Sequence, residues 1–182
     1  AEHCMFKSGP EGMNGMGNYI VNLTRNDKPV YSLFMIDDGQ YRIVDGQITD
    51  GGVGENQIAW YKWAVNGIKE TSGAEVANMA FMHVPVPEYA QLEDSFEMGI
   101  RGEETCAAKT NDGFFNVFKE NGGTHLFAGH DHNNNFVTEL DGVTLAYMTK
   151  SSYNCYFTTK ALGGTVLTLD QDNNINIEIE EF

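Results

Sequence analysis

The sequence predicts an α/β fold, a mixed β-sheet with outer helices packed on one face. Three observations predict it. Through the first two thirds, short apolar runs ending at Gly or Pro alternate with segments of helical apolar period. In the last third, apolar runs are joined by short polar turns, which reads as successive hairpins. The 182 residues are 41% hydrophobic and carry no repeat or low-complexity linker, so residues 1–182 are expected to form one domain with an ample core.

The elements follow in order. Residues 8–17 (SGPEGMNGMG) form a glycine-rich opening loop. It lacks the G-x-G-x-x-G order and no strand precedes it, so it is not a phosphate-cradling fingerprint. Asn18 to Leu23 and Val30 to Ile36 read as strands about a turn at Asn26–Asp27, and residues 45–54, rich in Gly and Asp, read as a loop. From Glu55 to Glu70 the pattern is helical: Ile58, Tyr61, Val65 and Ile68 share one face, and Gly73 is the stop signal. Met79 to Val84 fits a buried strand that Pro85 and Pro87 end. Residues 91–109 read as a loop with some helix. Phe114, Val117 and Phe118 mark a helix that Asn111 or Asp112 would cap and Gly122–Gly123 would terminate. His125 to Ala128 is the next strand. Phe136 to Leu140 and Val143 to Met148 flank Asp141–Gly142, a two-residue hairpin signal. Thr165 to Leu169 and Ile175 to Ile179 flank a longer turn from Asp170 to Asn174.

Charge narrows the partners. Twenty-six acidic residues against eleven basic ones give −15, a field that repels nucleic acid and anionic membrane surfaces. No run approaches the roughly 18 apolar residues of a membrane span, and no leader pattern is visible from Ala1 onward. An anionic substrate would need a local cation, which the scattered basic residues do not supply. A bound metal would. Cys4, Cys106 and Cys155 form no C-x-x-C pair, which removes a paired-thiolate zinc site and a thioredoxin-like motif. Buried free thiols are expected, with one disulfide left open.

The sharpest chemical feature is Gly129-His130-Asp131-His132, directly after the strand ending at Ala128. Histidines two apart on a strand point to one face, and imidazole is a common metal ligand. The alternative is a polar loop with two unrelated histidines. The second feature is Phe81-Met82-His83-Val84-Pro85-Val86-Pro87-Glu88-Tyr89, where His83 ends a strand before a rigid loop. Alone, such a histidine reads as a satisfied core residue. Paired with the first motif, it marks a second strand end of the kind where α/β sheets gather ligands.

Together these segments resemble a calcineurin-like metallophosphoesterase subfamily related to purple acid phosphatases. F-M-H-V-P-V-P-E-Y resembles its F-x-H-x-P-x-P-E-Y segment, and A-G-H-D-H-N-N resembles its G-H-D-H segment. Gly9-Pro10-Glu11-Gly12, Asn14-Gly15 and Gly17-Asn18-Tyr19 are similar to its connecting loop, and Met35-Ile36-Asp37-Asp38-Gly39 and Leu140-Asp141-Gly142 also fit. The resemblance implies the C-terminal half of a two-sheet sandwich and hydrolysis of a phosphorylated small molecule or phosphoprotein. It implies two divalent or trivalent ions (Zn, Mn or Fe) that activate hydroxide and hold phosphoryl oxygens. His83 and His130 would ligate one ion and His132 the other. Asp131 and Asn134 either orient the imidazoles from behind or are plain loop residues. The resemblance places Tyr153 and Asn154 in a loop that borders the substrate mouth in the family, with Asn154 and Cys155 standing where relatives often have glycine.

The family's other ligands come from Asp-x-His or Asp-x-Asp, Gly-Asp-x-x and Gly-Asn-His segments. This sequence has no Gly-Asp and no Asn-His dipeptide, and Asp170-Gln171-Asp172 is better read as a turn. No catalytic residue is therefore assigned, and this chain alone is expected to be inactive and to hold the ions weakly or not at all. Two rivals stand beside this reading. One is a catalytically incomplete fragment or regulatory half. The other is a binding module using Trp60, Trp63 and Tyr156. His125 is expected to pack, His3 has no role, and Glu178, Glu180 and Glu181 form a solvated strand face. One sheet face is expected to lack cover, to be closed by self-association or by the missing N-terminal half.

Overall fold

A computed structural model describes residues 2–39, 41–92, 96–110 and 112–182. Strands β1 (Tyr19–Arg25) and β2 (Lys28–Met35) pair antiparallel around Asn26 and Asp27, both at positive φ. A two-residue hairpin requires that conformation, and Asn and Asp tolerate it best after glycine. Strands β3 (Tyr41–Val44) and β4 (Gln47–Asp50) form a small separate ribbon. The expected loop over residues 45–54 is corrected here. Asp45–Gly46 is itself a hairpin turn at φ 51° and 77°, hidden because the flanking strands are only four residues long.

Helix α1 (Glu55–Ser72) starts where the Gln57 side chain reaches back to the Gly54 amide and stops at Gly73, left-handed at φ 82°. Strand β5 (Asn78–Phe81) ends earlier than expected, the Val84 amide being taken by the Asp38 side chain in place of a ladder carbonyl. Helix α2 (Phe114–Glu120) begins at Gly113, not at Asp112; a φ of 79° there selects glycine, and Asn111 lies outside the described residues. Strand β6 (Gly123–Ala128) takes up Gly123 as its first residue, because a Cβ there would stand 2.4 Å from the Phe118 ring. Strands β7 (Val137–Leu140) and β8 (Val143–Tyr147) turn at Asp141–Gly142, and β9 (Gly163–Leu169) pairs with β10 (Ile175–Glu181).

The main sheet has the order β1-β2-β5-β6-β8-β7. Its four inner strands are parallel and both edge strands antiparallel. The mixed sheet with helices on one face is thus as predicted. Phe34, Ala80, Leu126 and Leu145 line the helix side and pack under Tyr61 and Phe118. The Tyr61 hydroxyl donates to Oδ1 of Asn78, so this buried phenol is satisfied.

The opposite face is not left bare, contrary to expectation. Tyr31, Met79, Phe127, Val137 and Ala146 are buried there beneath Leu167, Leu169, Ile175 and Ile177 of the β9–β10 hairpin. A second, two-stranded layer comes from the chain's own end, because alternate residues of both strands are apolar. Trp60 packs edge-on against Phe34, whereas Trp63 is 72% exposed. No described helix is long and apolar enough to cross a membrane.

Candidate metal centre

The loops after β5 and β6 leave the sheet side by side at its C-terminal edge. The ladder continues past both strands: the Met82 amide donates to the Phe127 carbonyl and the Gly129 amide to the His83 carbonyl, each at 3.0 Å. His83 and His130 are thereby brought together. Nε2 of His83 and Nδ1 of His130 lie 3.3 Å apart, with the rings nearly perpendicular at 83°. His130 sits at φ 73°, and the Asp131 amide donates to the Gly129 carbonyl at 2.9 Å. This three-residue turn with positive φ at its centre is the rare, strained kind, costing on the order of 1–3 kcal/mol.

Rigid anchors hold both loops. After the prolines, Tyr89 is fully buried; its hydroxyl donates to the Leu126 carbonyl and accepts from the Ala146 amide, stitching the His83 loop into the sheet. Asp38, beyond the end of β2, accepts the Val84 amide at 2.5 Å. It is 3% exposed, and burial, working against that hydrogen bond, pushes its carboxyl up to about 7. Sequence reasoning gave Asp38 no role. Its signal was an acid placed just past an apolar strand, before a glycine.

Asp131 and Asn134 are buried, and they grip a crossing loop. Oδ2 of Asp131 accepts the Cys106 amide at 3.0 Å and the Tyr147 hydroxyl at 2.5 Å. Oδ1 of Asn134 accepts the amides of Gly102 and Glu103. The same crossing loop reaches the His83 side, where the Ala108 amide donates to the Pro85 carbonyl. Residues 102–108 are therefore laced to both histidine loops.

His132 is half-buried and stacked on Tyr156, ring centroids 4.3 Å apart. Its Nδ1 lies 2.9 Å from the Tyr156 carbonyl, an acceptor, so Nδ1 carries the proton. Cys155, beside it, adopts φ 63°, a left-handed conformation that favours glycine. His125 packs on Phe127 with its Nδ1 against the Thr124 hydroxyl, and burial lowers its pKa. None of the three cysteines is in a disulfide and all are exposed, which corrects the expected burial. Each lies on a loop, where apolar patterning does not apply.

No protein-family model matches the sequence. The chain is 32% identical over 160 residues to probable inactive purple acid phosphatase 14 of Arabidopsis thaliana, covering 79% of this chain and 40% of that protein. It is 27% identical over 157 residues to Phosphatase DCR2 of Saccharomyces cerevisiae, covering 76% of this chain and 26% of that protein. A crystal structure of a dimetal phosphatase from Danio rerio matches with a TM-score of 0.47 and 13% identity, covering 72% of this chain and 49% of that one. The chain is of the metallophosphoesterase kind. These curated relatives are purple acid phosphatase-like, and the chain spans two fifths or less of their length.

Proposed function

We propose that the complete protein hydrolyses phosphoric esters at a two-metal centre, to which this domain, residues 1–182, contributes the C-terminal part. His83 and His130 ligate one ion and His132 the other. The observation that carries the reading is the 3.3 Å between the His83 and His130 ring nitrogens. Two nitrogens each about 2.0–2.1 Å from a tetrahedral ion span about that separation. A bound pair of divalent ions, zinc, manganese or iron, would supply an activated hydroxide and a clamp on phosphoryl oxygens.

The chain's own residues prepare for this. Tyr156 takes the Nδ1 proton of His132 into a hydrogen bond, which leaves Nε2 of His132 as a lone-pair donor. Neutral imidazoles add no negative charge, so the site can draw a phosphorylated small molecule or phosphoprotein despite the net −15. Asp131 and Asn134 act from behind, fixing the turn that carries both histidines.

Three histidines give two ligands to one ion and one to the other, short of the three protein ligands of an ordinary catalytic zinc. The 182-residue chain alone should hydrolyse an aryl phosphate negligibly with zinc or manganese added, in keeping with the word inactive in the Arabidopsis relative's name. Calorimetric titration with zinc tests the ligand assignment. His83→Ala and His130→Ala should each weaken binding at least tenfold; unchanged affinity in both would sink it. Robust turnover abolished by His130→Ala would show that this chain suffices.

A further inference from the structure

A thiol stands next to the histidine pair. Cys106, His130 and Asp131 each present a ligand atom within 4.8 Å of the other two. The thiol is exposed and free of any disulfide. Its position is not left to a flexible loop. Its own amide is tied to Asp131, Gly102 and Glu103 are tied to Asn134, and Ala108 is tied to Pro85. Twenty-odd residues of sequence separate Cys106 from His130, so no local motif announces the group.

We propose that Cys106 is a ligand of the ion held by His130, with the Asp131 carboxylate beside it, and that this thiolate makes the position selective for zinc. The inference rests on the reading of His130 as a ligand and adds a donor of different chemistry. On binding, the Cys106 S–H bond breaks, a sulfur–metal bond forms, and the proton goes to solvent. Thiolate with imidazole suits zinc, whereas manganese and magnesium favour oxygen donors. The added negative charge also offsets the ion's charge, which binds it more firmly but leaves it a weaker Lewis acid. A site of this composition holds one ion even in a chain that supplies too few histidines for two.

Cobalt(II), a coloured substitute for zinc, tests this in the 182-residue chain carrying Cys4→Ser and Cys155→Ser, so that Cys106 is the one thiol. One equivalent of cobalt should bind with an intense near-ultraviolet thiolate-to-metal band. Zinc should displace it stoichiometrically, while manganese in hundredfold excess should not. Cys106→Ser should erase the band and weaken binding at least tenfold, and His130→Ala should do the same. Cobalt binding without the band, unchanged by Cys106→Ser but lost in His83→Ala and His130→Ala, would overturn the role of Cys106 and leave the histidine reading intact. A band that survives His130→Ala, or no cobalt binding by the chain, would also overturn it.

Discussion

The Tyr147 hydroxyl donates to Oδ2 of Asp131 at 2.5 Å, directly beneath the turn that carries His130. Burial, and then the carboxylate itself, push the Tyr147 phenol well above its ordinary range. The same oxygen receives the Cys106 amide, so one carboxylate joins strand β8 to the crossing loop. Asp131→Ala leaves two donors without an acceptor, and each such loss costs about 1–3 kcal/mol. Urea denaturation should show Asp131→Ala destabilised by about 2–4 kcal/mol and Asp131→Asn by clearly less. A change under about 1 kcal/mol in the alanine variant would contradict this account.

Asp38 should make stability depend on pH in an unusual direction. Its carboxyl is raised to about 7 by burial, whereas an unfolded aspartate ionises near about 4. The native state therefore holds the proton more tightly. Its favourable share is full below about pH 4, falls as pH rises through about 7, and stays lost above that. A shift of roughly three units corresponds to something on the order of 4 kcal/mol. Asp38→Asn keeps an oxygen for the Val84 amide. It should be close to the parent in stability at pH 4 and more stable than it at pH 8. Equal pH profiles for the two proteins would count against the assignment.

Cys155 occupies left-handed backbone at φ 63°, where a Cβ is unfavourable by about 1–2 kcal/mol. Glycine relieves that strain but makes the unfolded chain freer by about 0.4–1 kcal/mol. Cys155→Gly should be stabilised by about 0.5–1 kcal/mol, seen as a small rise in Tm. A fall in Tm would mean that the thiol makes a compensating contact.

Gln57 should prove more important than a surface amide on a helix suggests. It is buried; Oε1 accepts the Gly54 amide, and Nε2 donates to Oδ1 of Asn18 and to the Asp37 carbonyl. This one side chain starts α1 and anchors the end of the opening loop. Gln57→Ala should cost about 2–4 kcal/mol through the Gly54 amide and the Asp37 carbonyl losing this partner, while Oδ1 of Asn18 keeps the Asp37 amide. Limited proteolysis should then cut within residues 8–17 faster than in the parent.

What could be read from the sequence divides by range. Asn26–Asp27 and Asp141–Gly142 announced their hairpins because a positive φ is a demand on the local residue alone. The apolar face of α1 was legible from its period. The β3–β4 ribbon was not, since strands of four residues are too short to establish an alternating pattern. His83 and His130 could be suspected as partners because strand ends in parallel sheets share an edge. Cys106 and Asp38 could not be placed, and Asp131 was suspected only from its place between the histidines, not from the Cys106 amide and Tyr147 hydroxyl that it accepts. Their positions depend on loops crossing from elsewhere, and an acid or thiol in a loop looks the same whether or not it meets a partner. The cover supplied by Ile177 was likewise hidden, because an alternating strand does not say which sheet it will lie against.

His83 and His130 stand 47 positions apart and meet across two parallel strands. Unlike a hairpin, parallel pairing forms only after a long crossover has closed, with its loop entropy already spent. The imidazole pair therefore belongs to the folded chain and is absent from the unfolded one. Any ion that both rings hold acts as a clasp across that crossover. At a hundredfold excess over its Kd it would add about 2.7 kcal/mol to folding stability. Chelation of such an ion would then loosen the β5–β6 junction before the hairpins at either end of the chain, and the ion would be a structural closure of the fold.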